Sequence, residues 1–321
     1  MASSLTFKKK KVAVIGECMI ELSGQPFGQQ AQYFGGDTLN TALYLSRLVP
    51  GMNPAYVTAL GNDNYSRYMR QSWLQEGIDT QFVLTLDGKL PGLYAIENTP
   101  CGEKSFHYWR NDSAARCLCR HELFGSVVDD LKAFDLVYLT GITLAILPDP
   151  DKYLLLRALE TLKEEGVKIA VDSNYRPALW PSSSLACEWI GKLYQLADIA
   201  LVTADDEDRL LGMHDSPPPI IAKRMHSMGV KQVVVKLGQE GAMWSQYGLN
   251  GMARGNKVDR VMDTTAGGDA FNAAFLAAWS MGMEMHECCH WGNKLAARVI
   301  QHKGAIIPRD YTGYLTELMN V

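Results

Sequence analysis

Short, continuously apolar runs alternate along this chain with longer segments whose apolar residues recur at helical spacing. Val12-Ala13-Val14-Ile15, closed by Gly16, reads as a strand buried on both faces of a parallel sheet. After a polar stretch and the pair Gly35-Gly36, residues 37–49 place Leu39, Ala42, Leu43, Leu45 and Leu48 mostly on one face, predicting a helix capped by Asp37 or Thr38. A strand at 55–60 and a helix at 64–76, stopped by Gly77, follow. From Asp135 onward, strands at 136–140, 167–172, 199–203 and 233–237 alternate with helices at 150–165, 182–196 and 218–228, and the chain closes with helices at 270–281 and 285–302. Such alternation implies right-handed crossovers and a doubly wound, mainly parallel sheet with helices on both faces. Residues 82–86, 92–97 and 105–109 interrupt it with three short strands joined by glycine turns. They are expected to form a small antiparallel β lid, drawn from about 17–35 and 82–112, on a single α/β domain spanning 1–321.

Bulk properties narrow the function classes. A chain of 321 residues with a formal net charge of −4 is ample for a hydrophobic core and has no overall attraction for nucleic acid or an anionic membrane surface. The seven cysteines are scattered and odd in number, without a C-x-x-C pair, which points to a reduced, cytoplasmic chain. The lysines at 8–11 read as a solvated leader, and no window reaches the roughly 18 apolar residues of a membrane span.

The stretch Val261-Met262-Asp263-Thr264-Thr265-Ala266-Gly267-Gly268-Asp269 carries the strongest chemical signal: a strand end, a glycine turn, then an apolar helix. A turn of small residues at a helix start leaves N–H groups pointing outward with the positive end of the dipole behind them, which suits an anion. Asp269 stands beside it, either as a helix cap or as a group placed to take a proton. There is no G-x-x-x-x-G-K-[ST] loop and no G-x-G-x-x-G after the first strand, so any nucleotide phosphates must be held by another turn. His286-Glu287-Cys288-Cys289-His290 matches the zinc-hydrolase pattern H-E-x-x-H, but no clear third-ligand motif follows and an amphipathic helix with incidental histidines is the simpler reading.

The two glycine turns that open helices, Gly35-Gly36-Asp37-Thr38-Leu39-Asn40 and Ala266-Gly267-Gly268-Asp269, together resemble the two signatures of the ribokinase-like (PfkB) carbohydrate kinases. Gly16 to Leu22, Leu90 to Tyr94, Tyr108 to Asn111, Asn174 to Pro177 and Gly304 to Arg309 extend the resemblance over nearly the whole chain, toward the branch acting on 2-keto-3-deoxygluconate. Ala266 departs from the pattern where glycine is usual, so the left-handed position of the turn is expected to move to a neighbour.

The resemblance implies phosphoryl transfer from ATP, with Mg2+, to a sugar hydroxyl. Asp269 is then the base, with Ala266, Gly267 and Gly268 holding the moving phosphoryl group. Gly36, Asp37, Asn40, Tyr94, Tyr108, Arg110 and Arg176 would contact the sugar, and a guanidinium at Arg110 or Arg176 can clasp the carboxylate of a sugar acid. For the nucleotide it points to Asn174, Arg176, Lys236, Gly238, Gly241 and Asn293 beside the Ala266 and Gly268 turn. Asp206 and Glu207 are the acidic candidates near the metal, although the asparagine of the usual N-x-x-E is missing. A neutral-sugar kinase and a silent sugar-binding regulator are the other readings, and an exposed lid edge invites pairing between subunits.

Overall fold

The computed structural model describes residues 10–98 and 104–312; residues 8 and 9 of the expected leader, and Cys101, lie outside them. In chain order the strands are β1 (Val12–Ile15), β2 (Met19–Gly24), β3 (Gln30–Gly35), β4 (Ala55–Leu60), β5 (Val83–Thr85), β6 (Gly92–Asn98), β7 (Lys104–Trp109), β8 (Leu136–Thr140), β9 (Lys168–Asp172), β10 (Ile199–Thr203), β11 (Gln232–Lys236), β12 (Gly241–Gln246) and β13 (Leu249–Arg254). Nine of them form one sheet in the order β13-β12-β11-β10-β9-β8-β1-β4-β5, and the remaining four form a second sheet, β3-β2-β6-β7.

The large sheet is parallel from β5 through β11, as the alternating strands and helices require. Its central strands are buried on both faces because helices cover both: β1 contributes Ala13 and Ile15 to one core layer and Val12 and Val14 to the other. Helices Asp37–Leu48, Gly267–Ser280 and Met285–Val299 pack on the Val12 side, and helices Asp149–Glu164, Ser183–Leu196 and Pro218–Ser227 on the Ala13 side. The Gly267–Ser280 helix is apolar nearly all round and correspondingly buried. No helix among the described residues is long and apolar enough to cross a membrane.

Three local expectations are corrected. Residues 82–86 do not join the lid: β5 pairs parallel with β4 at Thr58↔Val83 and Ala59↔Leu84 as the edge of the large sheet. The lid itself is mixed, with β2 and β6 parallel, because both leave body strands that point the same way. Residues 261–263 are not a strand; the N–H groups of Met262 and Asp263 donate to the Ile300 carbonyl at 2.8 and 3.1 Å, so this segment is tied to the end of the last helix instead of the sheet. The β12–β13 hairpin was not foreseen. Its signal is the pair Tyr247-Gly248, both in left-handed conformation with φ of 50° and 80°.

Arg47 ties the N-terminal helix to two other parts of the chain. Its guanidinium donates to Glu76 Oε2 at 2.8 Å and Oε1 at 2.6 Å, and to the Ile307 carbonyl at 2.7 Å. Removing the guanidinium strands a partly buried carboxylate and a buried carbonyl. Arg47→Met is therefore expected to cost about 3 kcal/mol of stability, read as a lower urea midpoint at unchanged slope; a loss below about 1 kcal/mol would show that the clamp is dispensable.

Candidate active site

The cleft lies between the lid and the carboxyl ends of the parallel strands, where open α/β sheets place their ligands. It has an empty volume of about 650 Å3, and its walls include Gly36, Asp37, Asn40, Tyr94, Tyr108, Arg110, Asn174, Arg176 and Asp269. These residues come from widely separated parts of the sequence. Two helix N-termini meet at its floor.

The first belongs to Asp37–Leu48. Its N-cap is Gly36, in extended conformation at φ 173°, and neither Asp37 nor Thr38 caps it. Gly36 is required for space: a Cβ there would stand 2.2 Å from the Glu17 carbonyl oxygen. The Asp37 carboxylate turns instead into the cleft wall, where Oδ2 accepts from Thr140 Oγ1 at 2.6 Å and from Asn174 Nδ2 at 2.8 Å. One turn on, Asn40 donates from Nδ2 to Asp269 Oδ2 at 2.8 Å.

The second belongs to Gly267–Ser280. Ala266 is its N-cap with φ −112°, and neither Gly267 nor Gly268 has positive φ, so this turn needs no left-handed residue and tolerates alanine. The expected displacement of a left-handed position does not occur. Gly267 N–H donates to the Thr264 carbonyl at 3.1 Å, whereas the N–H groups of Gly268 and Asp269 have no acceptor among the described residues. The anion-binding amides are thus narrowed to the end of the turn. Asp269 is the third helical residue, not the cap.

A buried polar network lies beneath. Lys236 donates to Asp172 Oδ2 at 2.6 Å and to Asn272 Oδ1 at 3.2 Å, and Asn272 Nδ2 donates to the same Asp172 oxygen at 2.7 Å and to Tyr138 Oη at 2.9 Å. Asp172 Oδ1 accepts the Asn174 N–H at 3.1 Å. Lys236 Nζ would lie 3.6 Å from a Cβ on Gly268, which puts the ammonium directly below the anion turn. Asp172 and Asn272 were not singled out from sequence; a carboxylate ending a buried strand was the available signal.

On the lid side, Tyr94 donates to Glu21 and stacks on Tyr108 with centroids 5.9 Å apart. Arg110 sits 5.8 Å from the Tyr108 ring centre and is paired with Glu17. It is therefore not a free cation, contrary to the simplest expectation. Arg176 is paired as well, but more loosely: about half exposed, it donates from Nη1 to Asp206 at 3.4 Å and to the Tyr175 carbonyl at 3.0 Å.

This geometry has counterparts. The pfkB family carbohydrate kinase model matches residues 9–311. The chain belongs to the pfkB carbohydrate kinase family. It is 44% identical over 315 residues to the 2-dehydro-3-deoxygluconokinase of Haemophilus influenzae, covering 97% of this chain and 100% of that one. Its fold superposes with a TM-score of 0.82 on a PfkB protein from Polaromonas sp. JS666, 25% identical, over 94% of this chain and 98% of that one. A Xylella fastidiosa fructokinase with bound ATP, 19% identical, superposes with a TM-score of 0.81 over 98% and 100% of the two chains.

Other residues singled out for the nucleotide in this pfkB kinase lie apart from the cleft walls. Gly238 and Gly241 bracket a tight turn after β11 with φ of 57° and 105°. Asn293 donates to the carbonyls of Ala253 at 2.9 Å and Arg254 at 3.2 Å, tying the last helix to β13. Glu207 is removed from the metal candidates: 1% exposed, it accepts from Tyr194 and from Arg224, within a helical layer. Among the described residues no group of three or more His, Cys, Asp or Glu is placed to hold a metal ion. His286 and His290 face solvent while Cys288 and Cys289 are buried, so the H-E-x-x-H pattern is part of an amphipathic helix.

Asp269 is raised to about 8, by burial first and then by the Asp37 carboxylate, against the opposing hydrogen bond from Asn40. A base must be ionised, so kcat/KM of the free enzyme is expected to fall as pH drops through the neutral range instead of near the usual carboxylate value. Asp37→Asn, which removes a raising charge, is expected to move that acid limb to lower pH; an unmoved limb would exclude Asp37 as its cause. Because the folded-state value lies above the unfolded one, Asp269 contributes stability at low pH that is lost as pH rises through about 8. Asp269→Asn is accordingly expected to have a higher Tm than wild type at pH 9; a lower Tm at pH 9 would contradict the raised value.

Proposed function

We propose that this chain transfers the γ-phosphoryl group of ATP to the 6-hydroxyl of 2-keto-3-deoxygluconate, giving 2-keto-3-deoxy-6-phosphogluconate. The observation that carries the reading is Asp269 at the floor of the cleft, oriented by Asn40, beside the unpaired amides of a helix N-terminus and under two arginines. The similarity to 2-dehydro-3-deoxygluconokinases over nearly the full length supports the substrate.

The chemistry follows from the placement. A sugar hydroxyl next to Asp269 loses its proton to the carboxylate as its oxygen bonds to the γ-phosphorus. The bond from that phosphorus to the bridging oxygen breaks and ADP leaves. Most of the barrier is met by positioning and charge stabilisation. The Gly268 and Asp269 amides face the transferring group, with the Lys236 ammonium, held by Asp172, lying below them. Asn40 fixes which carboxylate oxygen of Asp269 is left to take the proton.

ATP enters with Mg2+ as its usual counterion. A cleft already holding Asp37 and Asp269, with Asp172 beneath, is poorly suited to a bare triphosphate, and the cation offsets that repulsion. The residues present fit an ion held chiefly by phosphate oxygens. Asp206 is the acidic side chain nearest that role: it borders Arg176, and burial raises its carboxyl above the ordinary range.

Asp269→Asn is expected to lower kcat by about 10^2- to 10^4-fold with intact folding, measured by coupled ADP release; near-wild-type turnover would remove Asp269 as the base. Arg176 distinguishes an acid substrate from a neutral one. Arg176→Met is expected to raise KM for the sugar acid by about 10- to 100-fold while leaving any slow turnover of a neutral ketose nearly unchanged. Equal losses on both would argue against a carboxylate contact.

A further inference from the structure

Glu17 lies in the short connection between β1 and β2, and its carboxylate is 2% exposed in the wall of the cleft. One oxygen, Oε2, accepts from Arg110 Nη2. Among the described residues the other, Oε1, is buried without a donor, and Arg110 Nε is buried without an acceptor. A buried ion pair with only one bond made is an expensive arrangement, since desolvation of both charges is offset by a single contact. Asn40 Oδ1 is the other cleft-wall acceptor buried without a partner. No described residue offers either acceptor a donor; a polyhydroxylated ligand carries donors in the right chemical class.

Glu17 also restricts which part of such a ligand can approach. A carboxylate has no proton to donate and would be repelled by Glu17, whereas a hydroxyl forms a charge-assisted bond with it. The Arg110–Glu17 pair has no net charge, so the guanidinium more accessible to an acid group is Arg176, about half exposed and linked to Asp206 at 3.4 Å. Space at this point is reserved on the lid. Gly92, which opens β6, would with a Cβ stand 2.9 Å from Glu17 Oε1 and 3.1 Å from Arg110 Cβ.

We propose that Glu17 is a specificity-determining residue of this kinase: its free oxygen accepts a hydrogen bond from a secondary hydroxyl of the sugar acid and turns the carboxylate end away from it. This rests on the sugar-acid kinase reading above. Glu17→Gln is close in shape and keeps a carbonyl for Arg110 Nη2, which places an amide donor where Oε1 now accepts.

The test compares wild type and Glu17→Gln, as full chains with MgATP, on 2-keto-3-deoxygluconate and on its 4-deoxy and 5-deoxy analogues. Wild type is expected to prefer the parent over one of the two analogues by about 10- to 100-fold in kcat/KM, the range for loss of a hydrogen bond to a charged group. In Glu17→Gln that preference is expected to shrink to a few-fold, because the variant loses on the parent and not on the analogue. Uniform loss on all three compounds would overturn the proposal and leave Glu17 as a support for Arg110. Should Glu17→Gln fail to fold, Gly92→Ala decides: the added methyl presses on Oε1 and is expected to erase the same preference, whereas an unchanged preference or a uniform loss counts against the proposal. Wild type that phosphorylates none of the compounds refutes the sugar-acid reading itself, a result distinct from any of these.

Discussion

Three carboxylates, Asp37, Asp172 and Asp269, converge on one buried ammonium at the carboxyl end of the large sheet, and that imbalance of charge governs the site. Lys236 is held by Asp172, so it offsets one of the three directly. Asp37 accepts from the neutral donors of Thr140 and Asn174 and lies near enough to Asp269 to raise it. Burial first, and the Asp37 charge after it, hold the proton of Asp269 well above the ordinary carboxylate range. In the proposed role of base, a carboxylate made reluctant to ionise in this way is a better proton acceptor, because its affinity for the proton approaches that needed near neutral pH.

The fold produces this convergence with one residue of the cleft wall, Asn174, at a positive φ of 36°. Two helices begin at the same end of the sheet, one just after the lid strand β3 and one far toward the C-terminus, and the Asn40–Asp269 bond joins residues 229 apart in sequence. Each helix start contributes differently. The first opens without a side-chain cap, freeing the Asp37 carboxylate for the wall of the cleft; the second leaves two N–H groups without acceptors among the described residues. Positive potential from the helix end and negative charge from the aspartates thus occupy neighbouring places, as a reaction that moves a phosphoryl group toward an ionising hydroxyl requires.

The lid supplies selection more than catalysis. Its aromatic face, Tyr94 stacked on Tyr108, forms a flat apolar wall of the cleft, while Arg110 is restrained by Glu17 and Arg176 is about half exposed. Cations of different availability within one cleft give a ligand a preferred direction. β2, which follows Glu17, pairs with β6, and β6 pairs with β7, which Arg110 follows, so the ion pair and the lid sheet depend on each other.

Much of this was legible in the sequence, for reasons of local physics. Continuous apolar runs identified the parallel strands because burial on both faces leaves no polar positions, and the two glycine turns identified helix starts because close backbone packing excludes a Cβ at Gly36. Those turns, with Asp269, Asn40, Arg110 and Arg176, were sufficient to indicate the class of chemistry. What the sequence did not contain was partnership. That Val83 extends the large sheet, that Glu207 is taken up by Arg224, that Arg110 is already paired and that Ala266 needs no left-handed conformation were all decided by the tertiary structure. The physical reason is that propensity and periodicity are properties of neighbours along the chain, whereas the charge and hydrogen-bonding state of a buried group depends on whichever residue the fold brings against it.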